Sequence, residues 1–412
     1  MAPTRPNRMQ SNSPHNRTDM RSRRRRRSRI RVVFVSAAAL LVALAVAAVY
    51  FAVGLPKSSQ DSEAAAPGAY APPDPRPVAT VEHTVAPDPE ASRPATITIS
   101  AVGDMIFDRR VKELIRASGG AAPLRHVADL LGRADLTVGN LESPLSDGGT
   151  MDADKDVTFR GDPRAIIGLT ASGFDFLSIA NNHVLDYGPD ALADTVSALG
   201  DAGIAHAGAG ADRDAAWKPA VIELDGGTTA AYLAFSHILP PGFVATSSKA
   251  GLAQGRNNMD NVTEAVRSAK KKYDYVLVSF HWGVEYKDDA NGDQVRDARA
   301  TIDAGADMVL AHHPHVIQGI EFYKGRLIAY SLGDFVFDHY SRKTGEAFVL
   351  NASLGPGGVT DVSAIPVYLD TYGAPKLVQG SEATVILERL TDISAKHGTN
   401  VKIRDNRAQV LP

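Results

Sequence analysis

The segment MVLAHHPH, residues 308–315, joins a short apolar strand to three histidines grouped around a proline. Four other apolar segments also end in polar residues: Val102-Gly103-Asp104, Gly139-Asn140-Leu141-Glu142, Ala180-Asn181-Asn182-His183 and Ser279-Phe280-His281-Trp282-Gly283-Val284-Glu285. In open α/β sheets, ligands bind beyond the carboxyl ends of the strands. We therefore expect these five strand ends to converge on one site.

Strands and amphipathic helices alternate along the chain from Ala95 onward. This alternation predicts a layered α/β domain rather than a β-sandwich or a helix bundle. The predicted strands are 96–102, 136–138, 174–180, 275–280, 308–311, 327–331, 347–354 and 362–369. The predicted helices are 190–202, 260–271, 295–304 and 382–396.

The amino terminus has the pattern of a membrane anchor. Residues 1–31 contain eleven Arg and one Asp, whereas residues 32–55 contain no charged side chain. About 20 helical residues cross a ~30 Å hydrocarbon layer, so 32–55 predicts one transmembrane helix. A cleaved signal peptide is the alternative, although its apolar region usually has only about 7–15 residues. The arginines predict a disordered cytoplasmic tail over 1–31, and therefore a single-pass protein of the cell membrane whose C-terminal domain is extracytoplasmic.

Composition also sets limits on the rest of the chain. Residues 56–94 are rich in Pro, Ala and Ser, which predicts a disordered linker to one domain over 95–412. The net charge is +10 for residues 1–31 and −13 for the remainder. The acidic character of the remainder argues against nucleic acid as the partner of the globular domain. An arginine run can bind nucleic acid, but its position beside an apolar span already explains this one. The chain has no cysteine, so any metal must have N and O ligands.

Histidine and carboxylate side chains concentrate at the five strand ends, and together they suit Zn, Mn or Fe. A lone Asp after Gly is usually a turn or cap residue. Three imidazoles around Pro314, those of His312, His313 and His315, have little structural use. The sequence therefore predicts a shared site for one or two divalent metal ions. Strand alternation predicts that His312 points away from this site.

Taken in order, these motifs resemble the CapA family, which is linked to capsule and poly-γ-glutamate biosynthesis. The resemblance extends from about residue 96 to residue 370. It includes His313-Pro314-His315-Val316-Ile317-Gln318-Gly319 and Tyr330-Ser331-Leu332-Gly333-Asp334-Phe335. It implies a calcineurin-like metallophosphoesterase fold, which is a layered αββα sandwich.

The resemblance also implies roles for individual residues. His183 would stabilise developing charge or protonate a leaving oxygen. Asp186 and Glu285 would orient ligands or contact the substrate, and we group them with His183 as candidate catalytic residues. The implied metal ligands are Asp104, Asn140, Glu142, Asn182, His281, His313 and His315.

Two positions depart from the expected pattern. The superfamily has Asp-x-His in its first motif, but Met105-Ile106 follow Asp104 here, so one imidazole ligand is missing. Asp334 stands where the family usually has Asn. Its carboxylate could supply a ligand, or reject an anionic substrate that an amide would accept.

Three functions remain open, and the sequence does not decide whether the chain is a hydrolase. The resemblance favours a role in capsule or poly-γ-glutamate biosynthesis or export. The alternatives are an extracytoplasmic metal-dependent phosphoesterase and a non-catalytic, metal-stabilised binding domain. The missing histidine argues against the first alternative, and the many retained ligands argue against the second. The expected partners are the membrane, an anionic polymer or phosphoester substrate, and a polymer synthase or export complex.

Overall fold

The computed structural model describes residues 95–412. The tail, membrane span and linker predicted for residues 1–94 lie outside the described residues. Within 95–412, the helices are too short or too polar to cross a membrane.

Strands and helices alternate through most of the described domain. The strands are β1 (Ile97–Met105), β2 (Leu136–Leu141), β3 (Phe176–Ser178), β4 (Ala205–Ala207), β5 (Ala209–Gly210), β6 (Ala220–Glu223), β7 (Thr229–Ser236), β8 (Gly251–Leu252), β9 (Tyr275–His281), β10 (Met308–His312), β11 (Ile320–Tyr323), β12 (Arg326–Ala329), β13 (Asp334–Val336), β14 (Glu346–Gly355), β15 (Gly358–Leu369), β16 (Pro375–Leu377), β17 (Asn400–Arg404) and β18 (Arg407–Leu411). The helices are α1 (Arg109–Ser118), α2 (Ala128–Leu131), α3 (Ala165–Ala171), α4 (Gly188–Asp201), α5 (Arg213–Trp217), α6 (Met259–Lys270), α7 (Gly292–Asp303), α8 (Arg342–Gly345) and α9 (Gly380–Ala395).

The predicted strands and helices are all present, with ends shifted by a few residues. The third strand, predicted over 174–180, is limited to β3. Gly173 has a φ of 72° and turns the chain directly before β3. Beyond β3, the Asn181 N–H donates to the Ile179 carbonyl oxygen at 3.2 Å, which turns the chain away from the sheet.

Two large sheets form the centre of the domain. The first has the strand order β17-β18-β15-β14-β1-β2-β3-β4, with β13 also beside β1 and β16 beside β15. The second has the order β11-β12-β10-β9-β7-β6. Strands β1 to β4 are parallel in the first sheet, and β7, β9, β10 and β12 are parallel in the second. Parallel neighbours bring their carboxyl ends to the same edge of a sheet, which is where α/β proteins bind ligands.

Three apolar layers separate four layers of secondary structure. One lies between the sheets, where Ile99 of β1 and Leu277 of β9 belong to one buried cluster. The second joins the first sheet to α1, through residues such as Val111. The third joins the second sheet to α6, where Val278 and Val262 pack together. Successive side chains of a strand point to opposite faces, so Leu277 and Val278 enter different layers. The helix–sheet–sheet–helix order agrees with the predicted αββα architecture.

A close backbone approach joins β1 to the turn before β13. A Cβ atom on Gly103 would lie 1.9 Å from the Gly333 carbonyl oxygen, so only glycine fits there. The Asp104 N–H donates to the same oxygen at 2.9 Å. Asp104 is also in register with Asp334 of β13. The approach therefore places two carboxylates side by side at the edge of the sheet.

Candidate metal centre

The polar strand ends of both sheets meet at one edge of the domain. Strands β1 and β2 carry Asp104 and Asn140, and Glu142 directly follows β2. In the second sheet, β9 and β10 end in His281 and His312. All five side chains are buried. The edge is therefore lined by carboxylate, amide and imidazole groups that are shielded from water.

Asp104 accepts a hydrogen bond at each of its carboxylate oxygens. Its Oδ1 accepts a hydrogen bond from Asn140 Nδ2 at 2.8 Å, and its Oδ2 accepts one from the His313 N–H at 2.9 Å. His312 Nδ1 lies 3.3 Å from Oδ1, although the angle does not make a hydrogen bond. Burial alone would raise the pKa of Asp104, but the imidazoles of His312 and His281 outweigh burial and lower it. Asp104 is therefore held as an anion.

The buried carboxylate of Glu142 has few hydrogen bonds to offset its loss of contact with water. Within residues 95–412 its Oε1 has no hydrogen-bond partner, and it lies 3.4 Å from His281 Nε2. Its Oε2 accepts only a long hydrogen bond, 3.5 Å, from Asn140 Nδ2. Burial and the charge of Asp104 raise the pKa of Glu142 well above its ordinary value. The same nitrogen, His281 Nε2, lies 2.7 Å from Asn182 Oδ1.

His313 and His315 leave the regular strand geometry. Their φ angles are 98° and 55°, in the left-handed region that residues other than glycine seldom adopt. Non-glycine residues held in this way are concentrated at functional sites. His315 Nδ1 lies 2.8 Å from Asp334 Oδ1. Burial alone would lower the pKa of His315, but the carboxylates of Asp334, Glu142 and Asp104 raise it to about 10.

Three overlapping groups of side chains could each hold a metal ion. Within each group, one ligand atom per residue lies within 4.8 Å of the others. The groups share members, as the ligands of neighbouring ions do. They are Asp104–Glu142–His281, Glu142–His313–His315 and Asp104–His315–Asp334.

Several buried polar atoms of this cluster lack partners, which tests whether a metal fits. Glu142 Oε1, His281 Nδ1, His313 Nδ1 and both ring nitrogens of His312 make no hydrogen bond within the described part of the chain. An unpaired buried polar atom costs about 1–3 kcal/mol. Carboxylate oxygens and imidazole nitrogens are also the ligand atoms that Zn, Mn and Fe accept. The residues present therefore fit a divalent metal ion.

His183 lies beside this cluster and is oriented by Asp186. His183 Nδ1 is 2.6 Å from Asp186 Oδ2, and the same oxygen accepts from the Phe159 N–H at 2.7 Å. Asp186 also forms an ion pair with Lys155. The rings of Phe159 and His183 lie 4.3 Å apart. Because Nδ1 is occupied, Nε2 is the ring nitrogen left to contact a substrate. Burial lowers the pKa of His183, which favours the neutral imidazole.

The structure brings the predicted site residues together, with the exception of Glu285. This side chain is exposed on the loop after β9 and makes no hydrogen bond or ion pair within residues 95–412. Asn140 uses both ends of its amide, because its Oδ1 accepts from Asn181 Nδ2 at 3.1 Å while its Nδ2 donates to Asp104. This position suits a residue that orients carboxylates. Direct metal ligation by Asn140 stays a prediction, as does a catalytic role for Glu285.

Sequence reasoning was wrong about His312. This residue follows Leu310 by two positions, and Leu310 belongs to the apolar layer between the sheets. Strand alternation therefore points His312 inward, towards Asp104. The prediction assumed that His313 continues the strand, whereas its positive φ lets adjacent histidines both face the site.

Two further contributors were not among the predicted site residues. Asp334 was noted only as a departure from the family pattern whose carboxylate could supply a ligand, and it is buried against His315. Lys155 lies in the acidic stretch 152–156, where nothing in the sequence distinguishes it from a solvated charge. Its ion pair with Asp186 depends on a contact between residues 31 positions apart, which no local motif encodes.

Comparisons with known proteins show the family to which the chain belongs. The model of the family described as "Bacterial capsule synthesis protein PGA_cap" matches residues 98–339, which include the whole cluster. The capsule biosynthesis protein CapA of Bacillus anthracis is 31% identical over 307 residues, covering 73% of this chain and 74% of that protein. The PGA biosynthesis protein CapA of Bacillus subtilis (strain 168) is 31% identical over 299 residues, covering 72% and 78%. A probable polyglutamine synthesis accessory protein of Mycobacterium tuberculosis is 31% identical, covering 68% and 77%. This chain therefore belongs to the bacterial capsule synthesis protein family PGA_cap, within the metallophosphoesterase-like superfamily.

Proposed function

We propose that this chain acts outside the cytoplasmic membrane in the synthesis or export of an anionic capsule polymer of the poly-γ-glutamate type. The observation that carries the proposal is the buried cluster of carboxylates and imidazoles with unpaired atoms. The identity of the polymer is proposed from the chain's membership of the capsule synthesis family. The names of the relatives, which include an accessory protein, support action beside a polymer synthase or export complex.

In this proposal the cluster holds one or two divalent ions, which would be Mn, Fe or Zn. The ligands would be Asp104, Glu142, Asn182, His281, His313, His315 and Asp334. Lewis-acid polarisation of a substrate oxygen, and neutralisation of its charge, is the chemistry that divalent ions supply in such a site. Asn140 would orient the two carboxylates that it contacts.

The other side chains of the site have roles that follow from their contacts. Asp186 and Lys155 keep His183 in one orientation, with Nε2 directed away from Asp186. In the neutral imidazole Nε2 is unprotonated, so it would accept a proton at a substrate oxygen or water and could then return it. The Phe159 ring covers one side of His183 and keeps water from it.

We also propose that residues 32–55 anchor the chain in the membrane and that the domain lies on the outer side. The arginines of residues 1–31 support this orientation. Protease added to intact spheroplasts should digest the domain without lysis. A domain that is degraded only after lysis would contradict the orientation.

Replacement of the chromosomal gene tests the function. A strain carrying Glu142→Gln should have at least about tenfold less surface γ-linked glutamate than wild type, since losing a metal contact typically costs about 10–100-fold. Glu223→Gln is the matched control, because Glu223 is exposed at the end of β6, far along the chain from the site. Normal polymer in the Glu142→Gln strain, with the protein present and its metal lost, would refute the proposal.

A second candidate is an extracytoplasmic phosphoesterase, which the His183–Asp186 pair favours. An oriented imidazole beside a metal cluster suits transfer of a proton from the attacking water to the leaving alcohol. Hydrolysis of bis-p-nitrophenyl phosphate by the purified chain, lost in His183→Gln, would support this activity. If the metal-loaded chain hydrolyses neither phosphoesters nor the polymer, the remaining function is that of a non-catalytic binding domain.

A further inference from the structure

A polar cavity of about 330 Å³ lies beside helix α1. Its walls come from one face of α1 and from the loop around Arg160. Arg109, Lys112 and Arg116 have helical spacings of three and four, so they line the same face of α1. They extend over about 10 Å at 1.5 Å per residue. With Arg160 they bring four cations to the cavity, against the carboxylates of Asp108 and Glu113.

These cations are largely unpaired. Of the four, only Arg109 forms an ion pair within residues 95–412, with Asp338 at 3.4 Å. Lys112 Nζ donates to the Arg160 carbonyl oxygen at 3.0 Å, and the Arg160 guanidinium lies over the Tyr187 ring at 4.6 Å. Neither contact neutralises charge. Four cations against two lining carboxylates stand out, because the chain beyond residue 31 carries a net charge of −13.

A hydrogen bond holds the cavity in shape, and a chain of side-chain contacts connects it to the site. The Arg160 N–H donates to Asp108 Oδ2 at 2.8 Å, which ties the loop to the start of α1. The Arg109 guanidinium lies 4.6 Å from the centre of the Phe159 ring. Phe159 in turn packs on His183 at 4.3 Å. One aromatic ring therefore separates the cations of the cavity from the imidazole beside the metal ligands.

We propose that this basic cavity binds a carboxylate-bearing segment of the polymer and feeds the chain towards His183 and the metal cluster. The inference rests on the proposed function, which supplies the polymer. Pockets for small ligands are mostly apolar, whereas this one is lined by charge, as a site for a hydrated polyanion requires. A helix face about 10 Å long can meet more than one carboxylate of an extended chain. Acidic surroundings repel the polymer, so local cations are needed to hold it.

Binding of a fluorescent γ-linked glutamate oligomer to the full-length chain in detergent micelles tests the proposal. The cavity variant is the triple change Lys112→Gln, Arg116→Gln and Arg160→Gln. Arg109 is kept because it packs on Phe159, which contacts His183. The matched control removes two Arg and one Lys from the exposed β17–β18 hairpin, through Lys402→Gln, Arg404→Gln and Arg407→Gln. Both variants have the same net charge, and the metal content of each is measured in parallel.

The cavity variant should bind the oligomer about tenfold more weakly than wild type at low ionic strength, a loss of about 1.4 kcal/mol. The control should stay within about twofold, and metal content should not change. Equal binding by both variants, or no binding by wild type, would overturn the inference. Inorganic polyphosphate is the comparison ligand. If only polyphosphate binds in the cavity, the ligand is a phosphate chain and the carboxylate assignment is wrong.

The inference and the proposed function can fail separately. A chain that holds no metal, but binds the oligomer through the cavity, would remove the metal-dependent function and leave the binding site. The reverse outcome is a metal-loaded chain that supports polymer production but whose cavity variant binds the oligomer normally. It would remove the binding site and leave the metal-dependent function.

Discussion

Replacing Glu142 with Gln should stabilise the metal-free protein and destabilise the metal-loaded one. Glu142 is fully buried, one of its oxygens has no partner within residues 95–412, and Asp104 lies close by. An amide removes the buried negative charge and keeps the shape. An unsatisfied buried polar group costs about 1–3 kcal/mol, and more when it is charged, so removing the charge should recover an amount of this order. At about 2 °C per kcal/mol for a domain of this size, the metal-free variant should melt about 2–6 °C higher than wild type.

The pH dependence of this difference has a definite sign. Burial, together with the charge of Asp104, raises the pKa of Glu142 well above 4.5. The folded metal-free protein therefore binds this proton more tightly than the unfolded chain, and loses stability as pH rises above about 4.5. The loss is at most about 1.4 kcal/mol per pH unit, and it ends at the folded-state pKa. Gln has no such proton, so its advantage should grow with pH over this window.

Thermal unfolding of the full-length chain in detergent measures both effects. Trp282 is buried and stacks on Phe280 at 4.5 Å, so its fluorescence reports loss of the domain near the site. Protein stripped with chelator is compared with protein reloaded with Mn²⁺ or Zn²⁺. A ligand at 100 times its Kd stabilises the folded state by about 2.7 kcal/mol, so metal should reverse the order of wild type and Glu142→Gln. The same order in both conditions, with Glu223→Gln matching wild type, would refute the reasoning.

Three other substitutions test different parts of the account. Gly103→Ala would place a Cβ 1.9 Å from the Gly333 carbonyl oxygen and should cost about 3 kcal/mol or more in urea denaturation; an unchanged midpoint would contradict the close approach. Lys155→Met removes the cation paired with the buried carboxylate of Asp186 and should cost about 3 kcal/mol, whereas Lys155→Arg should recover most of it. Asp334→Asn should weaken binding of one metal equivalent by about 10–100-fold in a chelator competition, and unchanged affinity would exclude Asp334 from the ligand set.

The layered fold could be predicted because its signals are local. Each strand of the two parallel regions is a short apolar run, and each large helix has a polar face and an apolar face. The fold also contains β5 and β8, which have two residues each, and the hairpin β17–β18. Two-residue strands have no periodicity to detect. The hairpin is partly exposed, so its alternation of apolar and polar residues is weak.

The candidate site was predictable where its residues end strands. Asp104, His281 and His315 follow apolar runs directly, or after a short turn, so position alone marks them. His312 and Lys155 could not be assigned in this way. His312 and His313 both face the site only because His313 has a positive φ, and the role of Lys155 depends on how a long loop folds back. Contacts between distant segments are not encoded in spacing.

The most direct test of the account is the metal content of the full-length chain purified without added metal or chelator. We expect one or two equivalents of Mn, Fe or Zn in the wild type, and almost none in the double variant Asp104→Ala, His313→Ala. The control Asp260→Ala, His126→Ala changes the same residue types at exposed positions and should keep its metal. Folding of each protein is checked by circular dichroism. A folded wild-type chain that takes up no metal when Mn²⁺ or Zn²⁺ is supplied, or a double variant that keeps as much as the control, would contradict the candidate metal centre.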